Sequence, residues 1–167
     1  MRYLIEEEKP EQMVRYESLP GETSCEPYVW ATLLRCTPQD IDNAIGVCPN
    51  YLTPEGLAVW REYQRKLNQF VVERGYNAIA TYIEADASTT GKEDGEKKAH
   101  RGRCYKASIR WKNCSLEGKT HHTIAVDENG KVFDPAPDPR ARHESLEEYE
   151  SPISTVRSIV EVFKVPK

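Results

Sequence analysis

The stretch His121–Pro135 reads H-H-T-I-A-V-D-E-N-G-K-V-F-D-P and decides the fold class of the chain. Apolar residues alternate through His122-Thr123-Ile124-Ala125-Val126, the period of a half-buried strand. Asn129-Gly130 then supplies two residues that tolerate positive φ, so the chain turns back on itself. A three-residue loop Glu128-Asn129-Gly130 pairs Val126 with Val132 and Ile124 with Asp134. This register puts Asp134 on the face of His122, with Ile124 and Val126 looking inward. A two-residue loop would put it on the face of His121 instead. The sequence D-E-N-G-K suits the three-residue loop with glycine left-handed, which selects His122 as a base and Asp134 as the group that orients it.

Such a pair lacks a nucleophile, and Cys25 supplies one. In G-E-T-S-C-E-P-Y-V-W-A-T-L-L-R-C, Ser24 reads as an N-cap and Pro27 falls in the first turn, where a missing N–H costs nothing. Cys25, Tyr28, Val29, Thr32, Leu33 and Cys36 then recur on one helical face. Cys25 is thereby placed at a helix N-terminus, where free N–H groups and the macrodipole favour a thiolate. Glu26 sets a carboxylate beside that thiol, which opposes the helix effect.

Around these two stretches the rest of the chain reads as helices first and sheet second, an α+β domain of 167 residues in a single unit. Residues 1–20 read as an extended arm or a short strand at Tyr3-Leu4-Ile5. Thr37-Pro38-Gln39-Asp40 starts a helix that closes at Gly46. Thr53-Pro54-Glu55 opens a third, with Leu57, Trp60, Leu67, Phe70 and Val71 inward, Glu62 and Lys66 paired outside, and Gly75 at the end. Strands follow at Ala78–Ile83, at Tyr105–Trp111 and from Val156 to Val165, with a helical turn at Ser145–Tyr149. Residues 86–103 hold nothing that anchors a core and read as a long mobile loop, a candidate lid over the site.

The five cysteines are odd in number and form no C-x-x-C pair, which argues against a disulfide framework and leaves no recognisable zinc spacing. Cys36, Cys48, Cys104 and Cys114 read as small buried hydrophobes. His100 and His143 lie in polar, solvated surroundings, and the three tryptophans lie on apolar faces. A net charge of −4 argues against a nucleic-acid partner. No run is long and apolar enough to span a membrane, and the start M-R-Y-L-I-E-E-E-K-P is too acidic for a signal peptide, so the expected location is the cytoplasm.

The order of a cysteine at a helix start, then H-x-I-x-V, then V-x-D-P resembles the papain-like cysteine peptidases, in particular their short phage and bacterial members. The likeness covers residues 21–35 and 102–139. It implies a papain-like α+β fold, with N-terminal helices carrying the cysteine packed on a C-terminal antiparallel sheet. It also implies Cys25 as nucleophile, His122 as acid/base and Asp134 as orienter, a protein or peptide substrate, and no cofactor or metal. Many members carry a glutamine about six residues before the cysteine; Leu19 stands there, leaving the Cys25 N–H as one oxyanion donor and the second unassigned. The same three residues also suit acyl transfer or deamidation of the transglutaminase kind, or an idle fold that binds and blocks a partner. Reactivity of Cys25 separates the enzymes from the binder.

Overall fold

The order of elements follows from where the chain places its start and stop signals. The computed structural model describes residues 12–19, 25–49, 54–83, 103–111 and 121–166. Three helices come first: α1 (Glu26–Leu34), α2 (Pro38–Ile45) and α3 (Pro54–Glu73). Five strands follow: β1 (Tyr76–Ile83), β2 (Tyr105–Trp111), β3 (His121–Val126), β4 (Val132–Phe133) and β5 (Ser154–Lys164). The molecule is α+β. The arm segment Tyr3–Ile5, the stretch 86–102, His100 and Cys114 lie outside the described residues.

Local chemistry explains the helix ends. Thr37 Oγ1 accepts the Asp40 N–H at 3.1 Å while Asp40 Oδ2 accepts the Thr37 N–H at 2.9 Å, a reciprocal cap on α2. α3 stops at Gly75, whose φ of 86° only glycine adopts freely. On α3 the outward pair is Glu62 with Arg65, three residues apart at 2.6 Å, in place of the expected Glu62 with Lys66. The shorter spacing and the forked guanidinium win, since three N–H contacts reach one carboxylate.

The cap position of α1 is occupied by Cys25, one residue after the expected Ser24, which lies outside the described residues. α1 is buried on every side rather than on one face. The reason is its surroundings. It lies against β3 and β2, packs on α2, and is crossed by the segment 12–19, where Thr32 Oγ1 donates to the Val14 carbonyl at 2.7 Å. The segment 12–19 is therefore docked: Met13 and Tyr16 pack on the core and Ser18 is buried.

The sheet is antiparallel throughout, in the order β1-β5-β2-β3-β4. Its final strand is thus an interior one, wedged between β1 and β2. Two apolar clusters cover its faces. Val29, Leu33 and Trp30 from α1 and Leu67, Phe70 and Val71 from α3 meet Ala125, Phe133 and Val162 on one side. Ala107, Ile109, Ile124, Val126, Val156 and Ile159 pack on the other, under Leu146 and Tyr149. Ile124 and Val126 do look inward, as the register requires. Val126 pairs with Val132 across the turn. Asp127 Oδ1 accepts the N–H groups of Asn129 and Lys131 at 2.9 Å each, and Gly130 sits at φ 85°.

Candidate active site

The helix start comes first. The Cys25 carbonyl accepts the Val29 N–H at 3.1 Å, so Cys25 opens α1 with Pro27 in the first turn. The positive end of the helix macrodipole lies at Cys25 and favours negative charge there.

What seats this helix end is the residue after the cysteine. Glu26 is buried, and its carboxylate is fully engaged. Trp30 Nε1 donates to Oε2 at 2.8 Å, Lys106 Nζ lies 3.3 Å from both oxygens, and the Thr123 hydroxyl reaches Oε1 at 3.5 Å. Lys106 also sits 5.4 Å from the Trp30 ring centroid, over its face. The carboxylate expected to oppose a thiolate is therefore neutralised by a lysine from β2. Glu26 and Thr123 directly follow Cys25 and His122 in the chain, so this buried cluster fixes the two reactive residues relative to each other.

His122 bridges the remaining gap. Its Nδ1 lies 3.5 Å from Cys25 Sγ and its Nε2 lies 2.6 Å from Asp134 Oδ1. The carboxylate end of this line is dry, with Asp134 only 2% exposed, while Cys25 at the other end is half-buried. Burial disfavours the charged ring, but the hydrogen bond and charge of Asp134, with those of Cys25, outweigh it and push the His122 pKa up to about 10. Burial likewise works to raise the Asp134 carboxyl, and the contact with His122, helped by Tyr149 and the Ala136 N–H, holds it below the usual value.

Asp134 is clamped from three directions. Its Oδ1 also accepts the Ala136 N–H at 2.8 Å, and its Oδ2 accepts the Tyr149 hydroxyl at 2.5 Å. Tyr149 is completely buried at the end of a 3-10 turn, Leu146–Tyr149, which Ser145 and Glu148 cap reciprocally. The His143 N–H donates to the same phenol oxygen at 3.1 Å, which leaves the phenol proton for the carboxylate. Burial and then the Asp134 charge raise the Tyr149 pKa, so the phenol stays a donor. His143, expected in solvent, is half-buried with its ring edge-on to Tyr149 at 4.8 Å. From the other side, Arg15 Nη2 donates to the Ala136 carbonyl at 2.7 Å and Ser18 donates its N–H and hydroxyl to the Pro135 carbonyl at 2.9 and 3.1 Å.

Sequence reasoning missed Tyr149, Lys106 and Arg15. Tyr149 lies 15 positions from Asp134 and Lys106 lies 80 from Glu26, and no local pattern spans such gaps. The one available signal was Lys106 itself, a cation alternating with the buried Tyr105, Ala107 and Ile109 and so facing the side of the sheet that α1 covers.

His121 takes no part in the chain. It lies on the opposite face of β3, where its Nε2 accepts from Arg157 at 2.6 Å. Burial, followed by the charges of Arg157 and Arg110, lowers its pKa and keeps it neutral. Among the other described cysteines, Cys36 is buried as expected, whereas Cys48 and Cys104 are half-exposed. Burial, with a contact to Glu128 Oε2 at 3.1 Å, raises the Cys104 thiol pKa. Among the described residues no cluster of three or more His, Cys, Asp or Glu is arranged to hold a metal ion, and no helix is long and apolar enough to cross a membrane. Chemically, the site sets a thiol beside an imidazolium whose far nitrogen is anchored on a buried carboxylate. Compared with known proteins, the chain matches no family model, no curated protein and no solved structure.

Proposed function

We propose that the protein is a cysteine-dependent hydrolase of peptide or isopeptide bonds, with a papain-like site made of Cys25, His122 and Asp134. One observation carries this reading: the unbroken line from Cys25 Sγ at a helix start, through both His122 nitrogens, to a buried carboxylate. In this reading the Cys25 thiolate attacks the acyl carbon, and the Cys25 backbone N–H contributes to holding the oxyanion. His122 Nδ1 then gives its proton to the departing amine, leaving a thioester on Cys25 and a neutral ring. A water attacks the thioester as His122 Nδ1 takes one of its protons, and the acid product departs with the thiolate–imidazolium pair restored. Asp134 keeps Nε2 protonated and the ring in plane throughout. Such chemistry requires reduced thiols, which suits a cytoplasmic setting.

The test is site-resolved alkylation with iodoacetamide, read by mass spectrometry from about pH 5 to about pH 8, the range in which ordinary thiols are protonated. Cys25 is expected to label much faster than Cys48 and Cys104 at the acid end, and His122→Ala is expected to remove the excess. A Cys25 that labels no faster than those two defeats the reading.

A further inference from the structure

The face of the sheet that carries α1 continues past the helix start, and there its chemistry changes. Thr123 marks the edge of the covered region, since its hydroxyl reaches Glu26. One pleat further along β3, about 7 Å away, comes His121. Arg110 of β2 is its direct cross-strand partner. The pairing of β2 with β5 shifts between Ser108 and Ile109, whose partners are Ser158 and Val156, so that Arg157 is bulged out of the ladder. A bulge re-aims the side chain it carries. Here the Arg157 guanidinium crosses β2 and donates Nη1 to His121 Nε2 on β3 at 2.6 Å. Residue 108 beneath it is a serine, small enough to let the side chain pass.

In this acidic protein Arg15, Arg65, Arg103, Arg140 and Arg142 form ion pairs with carboxylates, whereas Arg35 and Arg74, like the two arginines of this patch, do not among the described residues. Arg110 and Arg157 are exposed, and neither meets a carboxylate among the described residues. His121, held neutral, aligns Arg157 without cancelling its charge. Two guanidinium groups thus stand beside His121, one pleat beyond Thr123, whose hydroxyl reaches Glu26 next to Cys25.

We propose that Arg110 and Arg157, with His121 as the rest for Arg157, form a subsite that takes a carboxylate side chain of the peptide substrate, close to the bond attacked by Cys25. The proposal rests on the hydrolase reading and adds the substrate class, an acidic peptide. Forked guanidinium donors match a carboxylate in both geometry and charge.

Two thiol-directed probes differing in one group test it: the iodoacetyl derivatives of glutamic acid α-amide and of glutamine amide. Labelling rates at Cys25 are compared on the intact protein. The glutamate probe is expected to react about five- to tenfold faster, a preference that shrinks as salt screens the charges. In the double variant Arg110→Gln/Arg157→Gln the ratio should fall to about one, while Arg61→Gln on the exposed side of α3 should leave it intact. Equal rates in the unaltered protein, a preference that survives the double variant, or one lost equally with Arg61→Gln would each overturn the subsite. Failure of the hydrolase reading looks different: the glutamine probe labels Cys25 no faster than Cys48 or Cys104, and the subsite falls with it.

Discussion

At the scale of single residues, the behaviour of the site turns on what Asp134 does for His122. The carboxylate raises the ring's pKa, so the ring stays charged across the neutral range. Asp134→Asn removes the charge and reverses the hydrogen-bonding preference at Nε2. Alkylation of Cys25 should then fall about tenfold near neutrality and acquire a pH dependence, measurable as the rate profile from about pH 5 to about pH 8. Folding stability carries the same signature. The raised His122 pKa contributes stability that is complete below its ordinary 6.5 and fades as pH rises through about 10. The lowered Asp134 pKa contributes stability that is complete above its ordinary 3.8 and fades as pH falls through the lowered value. Thermal unfolding midpoints should therefore drop at both extremes, and His122→Gln should flatten the alkaline drop. Tyr149→Phe keeps the packed ring and deletes the donor to a buried carboxylate, a loss of about 1.5–3 kcal/mol in urea unfolding.

At the scale of elements, α1 is held in place by a charge pair as well as by its apolar sides. Lys106→Met leaves the Glu26 carboxylate buried without its cation, and should destabilise by about 3–5 kcal/mol; Glu26→Gln in the same chain should recover part of that loss. A double-mutant cycle in urea reads both numbers. The β3–β4 hairpin offers a milder test. A Cβ at Gly130 would meet nothing within 4 Å, so Gly130→Ala suffers only from its φ of 85°. The expected cost is about 1 kcal/mol, with the register kept. This hairpin was legible in the sequence because its turn chemistry is local: Asp127, Asn129 and Gly130 specify loop length, and loop length specifies which residues share a face. The same is true of the cap Thr37–Asp40. Where several candidates stood close together, local rules placed the element and missed the detail, as with Ser24 against Cys25 or Lys66 against Arg65. The second of these is settled by the forked guanidinium of Arg65, which offers one carboxylate three contacts.

At the scale of the whole molecule, the arrangement depends on β5. It separates β1 from β2 and contributes Val156, Ile159 and Val162 to the apolar layers on both faces. Its β-branched composition was legible as a strand, but nothing in Ser154–Lys164 announces an interior position, because pairing order is set by partners roughly fifty to ninety residues away. The joining of Cys25 to His122 was foreshadowed only by the order of their elements. Ending the chain after Ile153 should abolish cooperative unfolding by circular dichroism, and with it any excess reactivity of Cys25. A chain that kept both would show that β5 is dispensable.

The wedged position of β5 has a further meaning. Every reactive group of the site lies between residues 25 and 149, yet the frame that aims those groups closes only when a strand beyond them slides into the gap. A truncated copy would hold Cys25, His122 and Asp134 without their alignment, its Cys25 thiol expected to label no faster than any other. Supplying the missing strand as a separate peptide would act as an arming step, and the labelling of Cys25 would signal that the two pieces had met.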